Sequence, residues 1–238
     1  MFSGFTDETI RFFLDLKFHN STEWFHAHHD EYIQVVQKPF YEMIGDLGPD
    51  MLTIDPMMEI RPHKCISRIH RDTRFSNDKS PYRDHLWFIF HHAAEPREKS
   101  LNFYFEFGPD RLGWGMGFWG ENREAMDCFR RRIVARPEGI SALLRDCDLP
   151  GHFMVPEGNV FKRISIPPEV PEELKRWYIS KDLYITKVMP DFRDCFSEKI
   201  VDEVRKDLLA LGPLYRLFRG CYEETAETAE TVQPDDEM

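Results

Sequence analysis

Apolar positions in the first fifty residues recur at helical spacing. Thr6 stands ahead of Ile10, Phe13, Leu14 and Leu16, which predicts a capped helix. Asn20 or Ser21, with Glu23 close behind, predicts a second start before Trp24, Phe25, Tyr32 and Val36. Pro39 is expected to kink or restart that helix, and Gly45 or Gly48-Pro49 to end it. The period then changes. Leu86-Trp87-Phe88-Ile89-Phe90 is a short apolar run of the kind found in strands buried on both faces. Asn102 to Phe107 alternates, with Phe103, Phe105 and Phe107 on one side, and Gly108-Pro109-Asp110 supplies a turn into a partner strand from Arg111 to Phe118.

Two helices are predicted next, at Asn122 to Ala135 and, opened by a proline, Pro137 to Cys147. Strands are expected at Phe161 to Ile166 and Leu183 to Val188, flanking a short helix from Pro171 to Tyr178. Ser197 to Arg219 reads as a closing helix interrupted at Gly212-Pro213. Helices at the ends and strands in the middle predict an α+β fold, with a central, mostly antiparallel sheet. Without an internal repeat or a long Gly/Ser linker, residues 1–222 read as a single domain.

Composition sharpens this picture. Of the 238 residues, 42% are hydrophobic and 20 are Phe, ample for a core that needs no disulfide or metal. The five cysteines, Cys65, Cys128, Cys147, Cys195 and Cys221, have no C-x-x-C spacing and read as reduced, partly buried thiols suited to a cytoplasm. The N-terminal segment lacks the basic and apolar regions of a signal peptide, and no run is long enough to span a membrane. Net charge is −11, of which seven acids lie in residues 223–238 with no base among them. That tail reads as disordered. The rest of the chain carries no basic surplus, so general nucleic-acid binding is not expected.

One segment departs from its surroundings. Arg68 to Arg83 holds five fixed cations (Arg68, Arg71, Arg74, Lys79 and Arg83) against only Asp72 and Asp78. A turn of tight helix would align Arg68, Arg71 and Arg74; an extended chain would put Arg68, His70, Asp72 and Arg74 on one face. Both arrangements converge guanidinium groups, whose planar forks suit phosphate or carboxylate oxygens. Phe75, Pro81 and Tyr82 would anchor the loop, and Asp72 would fix Arg71 or Arg74. The competing reading is an internal salt-bridge brace, or a docking surface for an acidic partner, the chain's own tail included. Gly113, Gly115 and Gly117 alternate with Trp114, Met116 and Phe118, leaving one strand face bare for a ligand or for close backbone packing. Gly115 is the candidate floor of a pocket.

The order Arg68-x-x-Arg71-Asp72-x-Arg74-Phe75, then Asp78-Lys79-x-x-Tyr82, resembles the hallmark of domain of unknown function 2461, an uncharacterised bacterial and fungal family. Phe12-Phe13-x-x-Leu16, Trp24-Phe25, the glycine-rich strand before Arg130-x-x-Ile133, Phe161-Lys162-Arg163 and Lys175 to Lys181 are similar too, so the resemblance spans most of residues 5–190. Pro167-Pro168-Glu169 departs from that family's Pro-x-Gly turn. The resemblance implies weight for Arg68, Arg71, Asp72, Arg74, Lys79 and Tyr82 but no established activity.

Other chemistries find little footing. There is no G-x-S-x-G, P-loop, H-E-x-x-H or G-x-G-x-x-G pattern. His26 and His29 have a helical metal-pair spacing, but further ligands would have to come from His91 or His92, and no metal site is expected. The function expected is binding of a small phosphate- or carboxylate-bearing ligand by Arg68, Arg71, Arg74, Lys79 and Arg83. Were the protein an enzyme, those cations would stabilise developing negative charge, with His70, Asp72 or Tyr82 moving protons. Cofactor and oligomeric state are left open.

Overall fold

The computed structural model describes residues 1–74, 76–147, 153–155, 159–187 and 190–231. In chain order the elements are α1 (Asp7–His19), α2 (Thr22–Ala27), α3 (His29–Tyr32), a π turn (Ile33–Gln37), α4 (Lys38–Ile54), α5 (Pro62–Cys65), β1 (Leu86–His91), β2 (Asn102–Gly108) and β3 (Arg111–Gly117). There follow α6 (Arg123–Ala135), α7 (Pro137–Asp146), β4 (Phe153–Met154), α8 (Glu172–Ile179), β5 (Tyr184–Lys187), a 3-10 turn (Phe192–Phe196), α9 (Lys199–Ala210) and α10 (Gly212–Thr231). The fold is α+β, with a five-stranded antiparallel sheet in the order β1-β2-β3-β5-β4. The chain groups into two compact units. One comprises Met1–Ala94, Asn102–Gly115 and Met189–Leu209; the other comprises Glu95–Leu101, Met116–Val188 and Ala210–Met238.

In the first unit, the predicted caps act as helix starts. Thr6 precedes α1, and its backbone N–H donates to the Thr9 hydroxyl at 3.2 Å. Ser21 caps α2 by accepting from the Trp24 N–H at 3.2 Å. Pro39 acts as a restart. It lacks the N–H that would bond Val35, so the helix loosens into the π turn and α4 resumes with Pro39 in its first turn. The freed Val35 carbonyl accepts instead from the buried Thr9 hydroxyl at 2.7 Å.

α4 does not end at Gly48-Pro49; it runs on to Ile54 with Pro49 inside it. Phe40, Met43, Ile44, Leu47, Met51 and Ile54 form an apolar face that continues across the proline, and its burial outweighs one lost hydrogen bond. Gly48 lets Ile60 lie closely against the helix, where an added Cβ would come 3.1 Å from the Ile60 Cβ.

β1 and β2 pair with Leu86 opposite Phe107, Phe88 opposite Phe105, and Phe90 opposite Phe103. Phe5 stacks on Phe107 with centroids 4.1 Å apart, and Phe40 meets Phe5 and Phe88. Cross-strand aromatic pairs of this kind bury large areas in well-defined rotamers. Trp114 is fully buried and donates its ring N–H to Asp207 at 2.8 Å.

In the second unit α6 packs against α10 through Phe129 and Phe218, whose centroids are 4.4 Å apart. At Gly117 an added Cβ would lie 2.5 Å from the Leu183 carbonyl oxygen, so the missing side chain serves close backbone approach. The strand expected from Phe161 to Ile166 is absent. An isolated bridge of Val160 with Ser180 forms just before it, with bonds from Phe161 N–H to Ile179 and from Lys181 N–H to Asn159. Pro167-Pro168 removes two consecutive donors just beyond. α10 extends to Thr231, well into the segment expected to be disordered. Phe75, Val188 and residues 232–238, each part of an expectation, lie outside the described residues. All five cysteines are buried thiols, and burial pushes the Cys195 thiol up to about 12.

Candidate functional site

The arginine segment is extended. Ile66 to Arg71 runs antiparallel to Pro81 through Phe88, held by Ser67 N–H to Trp87 O (2.8 Å), Arg83 N–H to Ile69 O (2.9 Å) and Arg71 N–H to Pro81 O (2.8 Å). Side chains alternate accordingly. Ser67 and Ile69 are buried, whereas Arg68 and His70 are exposed. The Tyr82 ring is buried and stacks on Phe25 at 4.2 Å. Asn20 was expected as a cap. Its amide instead spans Tyr82, donating to the Tyr82 carbonyl and accepting its N–H, both at 3.0 Å, as a neighbouring strand would.

Beyond this ladder, residues 72–80 form a loop tied by its own charges. Arg74 grips Asp72 with two parallel bonds of 2.9 and 2.6 Å. The Arg74 side chain and then its N–H hold the Asp72 carboxyl down at about 2. Lys79 Nζ donates to the Thr73 carbonyl at 2.8 Å. Asp78 accepts from the Ser80 N–H at 2.9 Å and pairs with Arg71. Hydrogen bonds from Ser80, then the Arg71 guanidinium, hold its carboxyl well below the usual carboxylate range.

Against this loop lies a cavity of about 510 Å³ with predominantly polar walls. The segment contributes Arg71, Asp72, Asp78, Ser80, Tyr82, Arg83, Asp84 and His85; the end of α1 adds Lys17, the following turn Asn20, and β3 adds Arg111. Arg83 is half-buried. It donates to the Arg68 and His70 carbonyls, and its guanidinium lies 4.9 Å from the centre of the Trp87 ring. Burial, and then the charge of Arg71, lower its pKa. Asp84 accepts from His85 Nδ1 at 2.9 Å and from Lys17 Nζ at 3.1 Å. Burial alone would raise its carboxyl, but these two partners outweigh it and leave the group below its ordinary value. His85 Nε2 is 3.4 Å from Glu106, which also faces Arg111 at 3.4 Å.

Of the residues singled out from sequence, Arg71, Asp72, Tyr82 and Arg83 are brought together at the cavity. Arg68, His70, Arg74 and Lys79 are exposed and outside its lining, as is the buried Gly115 of β3. Sequence reasoning missed Lys17, Asn20 as a clamp, Asp84, His85 and Arg111. An available signal was the Asp84-His85 dipeptide directly after Arg83, a carboxylate beside an imidazole at the end of a basic run. Nothing local marked Lys17 or Arg111.

Two arginines of α6, Arg130 and Arg132, are engaged within the second unit. Arg130 donates to the Ser180 carbonyl at 2.8 Å and to Asp127 at 2.6 Å, and its guanidinium lies 5.1 Å from the centre of the Phe161 ring. Arg132 donates to Leu217 O at 2.9 Å and pairs with Glu224. Among the described residues no cluster of side chains could hold a metal ion, and no helix is long and apolar enough to cross a membrane.

No curated protein and no solved structure matches this chain. A family model described as a conserved hypothetical protein, DUF2461, matches residues 8–217 and so takes in α1, the arginine segment and β3. With the match covering far more than half of its length, the chain belongs to the DUF2461 family of conserved hypothetical proteins.

Proposed function

We propose that the protein binds a small phosphate- or carboxylate-bearing ligand in the cleft beside the arginine segment. The observation that carries this reading is the convergence of Lys17, Arg71, Arg83 and Arg111 on one polar cavity of about 510 Å³. Such a volume is ordinary for a small-molecule site. Arg71 and Arg83 come from the segment itself; Arg111 is half-exposed and only loosely paired, at 3.4 Å from Glu106 and 3.7 Å from Asp110. It can therefore turn to a ligand at little cost. Arg74 and Lys79 serve the loop's own shape. Five buried cysteines kept as thiols suit a reducing compartment such as the cytoplasm.

A second reading, an internal brace, is favoured by Arg83, whose bonds go to two backbone carbonyls. Thermal-shift screening of wild type and Arg111→Ala against inorganic phosphate, sugar phosphates, nucleotides and small carboxylates separates the two. A ligand at about 100 times its Kd stabilises by about 2.7 kcal/mol, roughly 5–10 °C for a chain of this size. The expected result is such a shift in wild type and a smaller one in a variant that melts normally. A panel that leaves the wild-type melting point unmoved leaves the brace.

A further inference from the structure

The walls of the cleft narrow the class of ligand. Four cations are interleaved with three carboxylates, Asp72, Asp78 and Asp84, so the cavity is close to neutral overall. A polyanion would meet those carboxylates, whereas a single phosphate needs only one or two guanidinium partners. The aromatic rings at the cleft are already occupied. Tyr82 is buried against Phe25, and the His85 ring stacks on Trp87 with centroids 5.7 Å apart. Among the described residues lining the cleft, Tyr82 is buried and one face of His85 is covered, so little ring surface is offered to a nucleobase, and the polar walls offer an acyl chain little to bury against.

The charges also differ in what already holds them. Arg71 and Arg83 are close enough for the charge of one to weigh on the other, a repulsion that an anion between them would relieve. At Asp84, the two carboxylate oxygens receive one bond each, from His85 and Lys17, which leaves lone pairs to accept further donors. With Nδ1 committed to the Asp84 carboxylate, His85 Nε2, which lies 3.4 Å from Glu106, is the ring nitrogen that a ligand hydroxyl would have to share with that carboxylate.

We propose that the ligand is a phosphate monoester of a sugar or polyol, with its phosphate between Arg71 and Arg83 and its hydroxyls at Asp84 and His85. The proposal rests on the anion-binding reading above. It also accounts for a cavity of about 510 Å³, which is far larger than inorganic phosphate requires.

Isothermal titration of the full chain tests it, with glucose 6-phosphate, ribose 5-phosphate, AMP, citrate and inorganic phosphate as probes. The sugar phosphates are expected to bind at least ten-fold more tightly than inorganic phosphate, and the base of AMP to add nothing over ribose 5-phosphate. Asp84→Asn is expected to remove the ten-fold gain while leaving inorganic phosphate within two-fold. Arg71→Gln is expected to weaken every phosphate by ten-fold or more. Should Asp84→Asn melt early through loss of its Lys17 contact, His85→Gln carries the same readout. Equal affinity for inorganic phosphate and the sugar phosphates, or tighter binding of citrate or AMP, overturns the proposal and leaves the anion-binding reading standing. Binding of none of the probes removes both.

Discussion

The molecule carries two arginine clusters that look alike in composition and differ in setting. In α6, Arg130 is 7% exposed at its side chain and surrounded by fixed partners: a carbonyl, a carboxylate and an aromatic ring. In the cleft, Arg71 is 28% and Arg111 50% exposed, and both face open volume. A desolvated guanidinium whose donors end on backbone oxygen holds the fold, because removing it strands those oxygens. Bordering a cavity is not the difference, since Arg130 also lines one, of about 580 Å³; a guanidinium that is itself exposed keeps donors for something else. Arginine density alone does not distinguish the two; the partner of each donor does.

The sharpest way to break this contrast is Arg130→Ala, which should cost about 3 kcal/mol in denaturant unfolding because the Ser180 and Tyr178 carbonyls lose their donor. A loss below 1 kcal/mol would deny it the role of brace. Arg132→Ala should cost about 1 kcal/mol, since its side chain is partly exposed but still satisfies Leu217. Arg71→Gln should cost less, under about 1 kcal/mol, as its pair with Asp78 is solvated. A loss as large as that of Arg130→Ala would move Arg71 into the brace class.

Acid titration sharpens the same contrast at Asp84. Its folded-state pKa is below the ordinary 3.8, so its contribution to stability is present above that value and is lost as pH falls through the folded pKa. Melting curves of Asp84→Asn should therefore drop less steeply below pH 4 than those of wild type. The smallest effect is expected for Arg111→Ala, within about 0.5 kcal/mol of wild type in stability, while its ligand-induced shift shrinks.

The helix starts at Thr6 and Ser21, the restart at Pro39, the β2–β3 hairpin and the helices α6 to α8 were legible in the sequence, because each depends on a turn residue, a cap or a short period. The arginine segment was legible as a charge anomaly. Its conformation was not, because the spacing of Arg68, Arg71 and Arg74 suits both a tight helical turn and an extended chain. The strand ladder with residues 81–88 decides between them. Asn20 illustrates the limit well: a cap by residue type, it became a clamp because Tyr82, 62 positions away, presented an unpaired edge.

What the sequence alone determined is therefore local: where elements begin, which runs alternate, and where positive charge is concentrated. Those signals close within about four residues and need no knowledge of the rest of the chain. Tertiary structure decided that α4 continues through Pro49, that residues 161–166 form no strand, and that Arg71 and Arg83, but not Arg68 or Arg74, line this cleft. It also brought Lys17 and Arg111 to the same cleft from α1 and β3. The reason is physical. The partner that satisfies or frees a charged side chain is set by packing between elements distant in sequence, and no local pattern encodes it.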